Sequence, residues 1–281
     1  VKVYHIGKGN PKQTNFEIEN YTFISSYLDS RFNFTFVSQG IGRYKYESQG
    51  EFISYGEWLA EPRSEKYFSS PKVVIREIIN PRIFATYIEN KAVVKNIAAV
   101  IIQKEENYPL KYLLGLINSK LINFYVNEQS PKSQNKSYPS FNSRLLKNIP
   151  IAIPTVTIRE TILSKVDQII SGEENLTIFN QKFSTYISSQ YHFEKLPGKL
   201  EKWFELEFVD FIKELNKAIK AAKGTPLTKK DEFEWMDLFE ENKKKALELK
   251  GEIDRTDREI DQMVYQLYDL TEEEIKIVEG A

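Results

Sequence analysis

The chain has 281 residues, 41% of them apolar, 28% charged and none of them cysteine, so it can bury a core in one or two domains and has no disulfide or thiolate metal site. No run of roughly eighteen apolar residues is present, which excludes an ordinary membrane-spanning helix. The formal net charge of -1 hides a division, because residues 1–155 carry 20 Lys+Arg against 13 Asp+Glu while residues 156–281 carry 19 against 27.

The first half reads as short β segments. Phe34–Ser38 (FTFVS), Glu51–Tyr55 (EFISY), Lys72–Glu77 (KVVIRE), Arg82–Tyr87 (RIFATY) and Ile97–Gln103 (IAAVIIQ) are rich in β-branched and aromatic residues and are separated by Gly, Pro, Asn and Ser. They predict a mixed or antiparallel sheet. In Pro109–Gln129, Leu110, Leu113, Leu114, Ile117, Leu121, Phe124 and Tyr125 recur at helical spacing, which predicts one amphipathic helix packed on that sheet. Gly115 and Ser119 thin one side of it for close backbone approach. Ser130–Pro154 then holds Lys132, Lys136, Arg144 and Lys147 and no carboxylate. A long polar segment without a pattern of its own is usually functional or disordered. At its end Ile149, Ile151 and Ile153 alternate, which predicts a closing edge strand limited by Pro150 and Pro154.

After Pro154 the chain turns helical. Ile162–Ile170, Phe179–Tyr191, Phe204–Ala222 and Phe233–Tyr268 are periodic at helical spacing. Phe239, Ala246, Ile253, Ile260 and Leu267 repeat every seven residues, with Asn242, Leu249, Thr256 and Met263 three positions later; this polar-interrupted seam suits an intramolecular pair or bundle. Phe204, Phe208, Phe211, Leu215 and Ala218 supply a matching stripe, and Ala222–Thr228 is the turn between them. The predicted class is α+β: a β-rich mixed or antiparallel domain with packed helices over residues 1–155, then an all-α helical hairpin or bundle over residues 156–281.

Catalytic patterns are weak. His5–Lys12 (HIGKGNPK) has glycines but neither phosphate-loop spacing nor a following helix. His5 and His192 are the only histidines and lack metal-site spacing. Glu274-Ile275-Lys276 after Asp269 reads as the solvated face of a terminal helix rather than a nuclease centre. No catalytic residue, metal ligand or cofactor site is expected in this chain. Val1 opens it without a methionine or a signal pattern, which leads to the expectation of a cytoplasmic fragment of a larger protein.

Binding is the stronger signal. Arg43, Tyr44 and Lys45 follow two glycines in QGIGRYKYESQG, and Lys72, Arg76 and Arg82 punctuate the strand-like runs. Arginine clamps phosphates or reads guanine edges, and small polar groups position a backbone. Together with Lys132, Ser133, Lys136 and Arg144 of the basic segment, these residues form the candidate nucleic-acid contacts. A polyanion calls for cations on one face, which fits the basic first half.

In order and spacing, GIGRYKY, then YGEWLAEPRSEKYFSSPKVVIREIINPRIFATY, then YPLKYLLGLINSKLINFYVNEQSPKSQNKSYPSFNSRLLKNIPIAIP, resembles the TaqI-like C-terminal specificity domain. That is the target-recognition part of type IIG restriction-modification enzymes and related adenine-specific DNA methyltransferases. The closing EIDRTDREIDQMVYQLYDLTEEEIKIVEG resembles the end of the same enzymes. The resemblance implies double-stranded DNA as a partner, with the methyltransferase catalytic domain of the same polypeptide as the other. It implies S-adenosylmethionine, and Mg where a nuclease is present, in the parent enzyme rather than here. It nominates Arg43, Tyr44, Lys45, Arg76, Arg82 and the loop Ser130–Ser143 as DNA-facing, the loop being ordered mainly by phosphates. Glu77 stands where the family has a second cation; it either accepts from a cytosine amino group or faces away. The competing reading is a protein-interaction scaffold that dimerises through the seam Phe239–Leu267.

Overall fold

The computed structural model of the chain describes residues 24–28, 30, 32–56, 63–69, 71–79, 82–95, 97–129, 140 and 143–280. They group into two compact units, the first containing residues up to Asp167 together with Asp257–Ala281, the second Gln168–Thr256.

Two small sheets form the first unit's β layer. Strands β1 (Ile24–Ser25), β2 (Phe34–Val37) and β3 (Phe52–Ile53) join β6 (Ala92–Val94) in the order β1-β3-β2-β6, with β2 and β6 parallel. Strand β4 (Lys72–Arg76) lies between β5 (Ala85–Ile88) and β7 (Ala98–Ile102), antiparallel to both. The sheets are thus one mixed and one antiparallel. Val73, Val74 and Ile75 of β4 are fully buried, the condition under which a strand reads as a continuous β-branched run. Strands β1 and β6 were not legible in the sequence: two and three residues are too short to show a period.

The helix expected over Pro109–Gln129 is two helices, α2 (Leu110–Asn118) and α3 (Lys120–Gln129); a short α1 (Lys66–Ser69) precedes them. Ser119 between them is extended, with ψ 156°. Its hydroxyl donates to Leu116 O at 2.6 Å and accepts from Ile122 N at 3.3 Å, so one side chain ends α2 and caps α3. Gly115 fulfils its expected role. A methyl group there would lie 3.0 Å from Ile162 Cγ2 and 3.1 Å from Val166 Cγ2. Both belong to α5 (Val156–Tyr191), which follows the short α4 (Ser143–Lys147).

The edge strand expected at Ile149–Ile153 does not form. Pro150 has no N–H to give a ladder, and hydroxyls bind this segment instead. Tyr268 donates to Pro150 O at 2.6 Å and accepts from Ala152 N at 3.2 Å, while Tyr112 donates to Ala152 O at 2.8 Å.

The second unit is helical. Two stretches read as separate merge into the 36-residue α5, which runs through Gly172. Helix α6 (Gly198–Glu201) and a 3-10 turn (Trp203–Glu205) lead to α7 (Phe208–Ala221) and the 39-residue α8 (Lys229–Leu267). The predicted hairpin is present: Phe211 stacks on Phe239 with ring centroids 4.6 Å apart, and Leu227 N donates to Asn216 Oδ1 across the turn. Phe239, Ala246, Ile253 and Ile260 are all buried within the single chain, so these seam positions are already used and offer no surface for dimerisation. Helix α9 (Glu272–Glu279) belongs to the first unit and starts at a capping box in which Thr271 and Glu274 exchange bonds with each other's backbone N–H.

Candidate nucleic-acid interface

The nominated residues divide into an inward set and an outward set, beginning at the turn after β2. Ile41 bridges Tyr46, Gly42 N donates to Lys45 O at 2.9 Å, and Glu47 N donates to Gly40 O at 2.9 Å. Gly40 sits at φ +82° with Glu47 O where a Cβ would be, so no other residue fits. At the tip, Tyr44 has φ 60° and its N–H donates to Ala85 O at 2.8 Å, which directs its ring inward.

Arg43, Tyr44 and Arg82 meet in one buried cluster of the first unit. Arg43 makes a two-pronged ion pair with Asp257, and its Nη2 donates to Asn118 O at 2.8 Å. Arg82 Nη2 donates to the same carbonyl, also at 2.8 Å. That carbonyl is available because α2 stops at Asn118: the last carbonyls of a helix have no partner inside it. The break serves its other side too, since Lys120 N, an orphan donor at the start of α3, donates to Asp261 Oδ1 at 2.8 Å. The Asn118 side chain acts as a substitute strand partner, accepting from Ala85 N at 3.1 Å and donating to Ala85 O at 3.0 Å. It thereby covers the open edge of β5.

Burial sets the electrostatics of this cluster. It opposes the charge on Arg43, but Tyr44 and the hydrogen bond and charge of Asp257 outweigh it and hold the guanidinium above its ordinary value. Arg82 is pushed down, first by burial and then by the neighbouring Arg43 charge. Burial also raises Asp261 above the usual carboxylate range, despite Lys120 N and the two arginines. The Tyr44 hydroxyl is raised for the same first reason and has no hydrogen-bond partner among the described residues.

Lys72 corrects the expectation most directly. Its side chain is fully buried, Nζ donates to Asn90 O at 2.9 Å, and burial lowers it to about 8. A side chain with no exposed surface presents nothing to a phosphate in this conformation, so the role of Lys72 is to anchor the turn between β5 and β6. The same holds for Tyr44. Arg43 and Arg82 fit a structural role as well, since their donors are directed at Asp257 and Asn118.

The outward set is Lys45, Arg76 and Arg144. Lys45 is half-exposed, 3.5 Å from Glu47 Oε1. Arg76 ends β4 with its guanidinium over the Phe84 ring at 4.1 Å and Nε donating to Ile78 O at 3.0 Å. Stacking and the Nε bond both restrict the plane of the guanidinium fork. Glu77 is exposed next to it. Ile78 forms an antiparallel bridge with Ser140, which brings the far end of the basic segment to the end of β4. Arg144 is exposed on α4. Lys132, Ser133 and Lys136 lie outside the described residues. Among the described residues no group of three or more His, Asp or Glu could hold a metal ion, and no helix is long and apolar enough to cross a membrane.

Sequence reasoning missed Asn118, Asp257 and Asp261. Two signals were available. Asn118-Ser119 interrupts an apolar helix with two residues that compete for backbone hydrogen bonds. Asp257 and Asp261 lie four apart and so on one helix face.

An α+β unit whose turn and strand end carry outward cations is a class suited to gripping a polyanion. Residues 35–151 match the model of the TaqI-like C-terminal specificity domain. Residues 155–264 match a domain of unknown function, DUF8810. A protein of Methanocaldococcus jannaschii named "Putative type II restriction enzyme and methyltransferase" is 30% identical over 119 residues, covering 40% of this chain. The matched stretch is 10% of that relative's length.

Proposed function

We propose that this chain recognises sequence in double-stranded DNA as the specificity part of a restriction-modification methyltransferase, with a recognition domain at residues 1–155 followed in sequence by a helical spacer at residues 156–281. The observation that carries the reading is the arrangement at the end of β4. Arg76 is held over Phe84, and the basic Ser130–Ser143 segment returns to the same strand end through the Ile78–Ser140 bridge. Lys45, Arg76, Lys132, Ser133, Lys136 and Arg144 are the DNA contacts of this proposal. Arg43, Tyr44, Lys72 and Arg82 support them from inside. The recognition domain selects the site, and a methyltransferase domain of the same polypeptide, using S-adenosylmethionine, modifies an adenine there. A type IIG parent adds a Mg-dependent nuclease, and the enzyme works in the cytoplasm.

Fluorescence anisotropy of the chain with labelled duplexes of randomised sequence, at two salt concentrations, tests this. The expected result is binding that weakens steeply with salt and favours a subset of sequences. Replacing Arg76 with Ala should narrow the gap between preferred and other sequences by about tenfold, the effect of one bidentate base contact. Binding indifferent to both salt and sequence overturns the proposal.

A further inference from the structure

The second unit holds a cleft that the DNA reading does not use. Its volume is about 390 Å³, and it opens where the end of α5 and the start of α8 face the turn after α7. Tyr186, Tyr191 and Trp235 wall it, Asp231 and Glu234 stand at its edge, and no Lys or Arg is among the described residues lining it.

The walls are fixed. Trp235 Nε1 donates to Tyr191 Oη at 2.8 Å, and the two rings lie nearly parallel, 28° apart with centroids at 6.3 Å. Tyr186 approaches the same indole at 6.0 Å and 58°, so the aromatic groups meet in a corner. Asp231 is equally constrained, because Oδ2 accepts from Thr228 N and Thr228 Oγ1, both at 2.8 Å. A carboxylate has about four lone-pair sites, and those two bonds leave capacity for another donor. Glu234 has Lys230 Nζ at 3.9 Å, an exposed pair of little strength.

Charge decides the class of ligand. Aromatic faces alone would stack a nucleobase as well as a cation, but two carboxylates offset only by Lys230, a weak exposed partner of Glu234, repel a phosphate backbone. They attract a cation, which the exposed ring of Tyr186 also favours. Among protein cations, the guanidinium is planar, stacks on rings and donates a fork that matches a carboxylate, whereas an ammonium is a strongly hydrated point charge. We propose that this cleft binds an arginine side chain presented by a protein partner. The helical unit thus docks a basic partner through the Tyr186–Tyr191–Trp235 corner rather than through its buried heptad seam. This inference is independent of DNA binding.

Titration of the isotopically labelled full chain with N-acetyl-arginine methylamide, following the Trp235 indole Nε1–H resonance, is the test. The expected result is saturable movement of that resonance in the millimolar range, the order of one cation–π contact with one exposed ion pair. N-acetyl-citrulline methylamide, neutral and of the same shape, should move it at least about threefold less. Glu234→Gln, at an exposed position that leaves the fold intact, should weaken the arginine probe about threefold; Tyr186→Leu gives a second, charge-neutral lesion with the same direction. Equal response to citrulline, an unchanged response in both variants, or no movement at all overturns the proposal. So does equal binding of the lysine analogue, which would remove the guanidinium from the argument. Movement caused by oligothymidylate but not by arginine would make the cleft a nucleobase site and overturns it too.

Discussion

The two compact units secure their interiors in opposite ways. In the second, Phe183, Trp203, Phe211, Trp235 and Phe239 form a continuous ring cluster, with Phe183 and Trp203 centroids only 4.1 Å apart. Its strength comes from buried area and tolerates small shifts. In the first, a helix break is held open by Arg43, Arg82, Asp257 and Asp261, each bond having one acceptable geometry. Directional bonds are a poor source of net stability but a good source of register, since an unpaired buried charge costs far more than a slightly misplaced ring. The directional interior fixes individual side chains in place, whereas the ring cluster fixes the spacing of its helices.

The comparison can be broken at its most tightly packed point. Phe211→Ala removes a fully buried ring that touches Phe239 and Trp235, and should cost about 3–5 kcal/mol in urea unfolding. Arg43→Met should cost about 3 kcal/mol, because it leaves Asp257 without its cation at a site where both side chains are less than a fifth exposed. The directional account is sharpened by the pair: adding Asp257→Leu to Arg43→Met should recover most of that loss, since two apolar groups leave no buried charge. No such rescue exists for Phe211→Ala. If the double variant is as unstable as the single one, the cluster is held by packing, and the two units do not differ in kind.

Gly115→Ala probes the first unit's packing on a smaller scale. The added methyl meets Ile162 and Val166 at 3.0 and 3.1 Å, an overpacking cost of about 1–2 kcal/mol that exceeds the gain of about 1 kcal/mol in helix propensity. Thermal unfolding should show a net loss below about 1 kcal/mol.

What was legible in the sequence follows the same division. Apolar periodicity disclosed α7, α8, their hairpin and the buried seam, because area-driven packing leaves its period in the chain. Strand β4 was legible as KVVIR for that reason. The polar cluster was not, because its members are drawn from positions 43, 82, 118, 257 and 261 and each looks like an ordinary surface residue by itself. Arg43 and Arg82 were therefore read as facing DNA when their donors point at Asp257 and Asn118. The break at Ser119 was hidden by the apolar residues on either side, which keep helical spacing through it. Arg76 ends a β-branched strand, where a cation has few inward options, and its guanidinium lies over the Phe84 ring.

The smallest effect concerns Asp261, which is nearly fully buried and raised above the ordinary carboxylate value by that burial. A carboxyl whose folded pKa exceeds its unfolded one binds its proton more tightly when folded. Its contribution is therefore present at acid pH, below the unfolded value, and is lost as pH rises through the folded value. Once ionised, Asp261 is thus worth less to the fold than in its protonated form, even though Oδ1 accepts from Lys120 N. Asp261→Asn keeps an oxygen acceptor in the same place and removes the titration. Urea unfolding from pH 4 to pH 7 should show the variant gaining on the parent protein as pH rises. Asn in place of Asp261 that instead loses ground over this range would mean that attraction to Arg43 and Arg82 outweighs desolvation. The carboxylate would then stabilise the helix break, and the first unit's interior would owe more to charge than to directional hydrogen bonds.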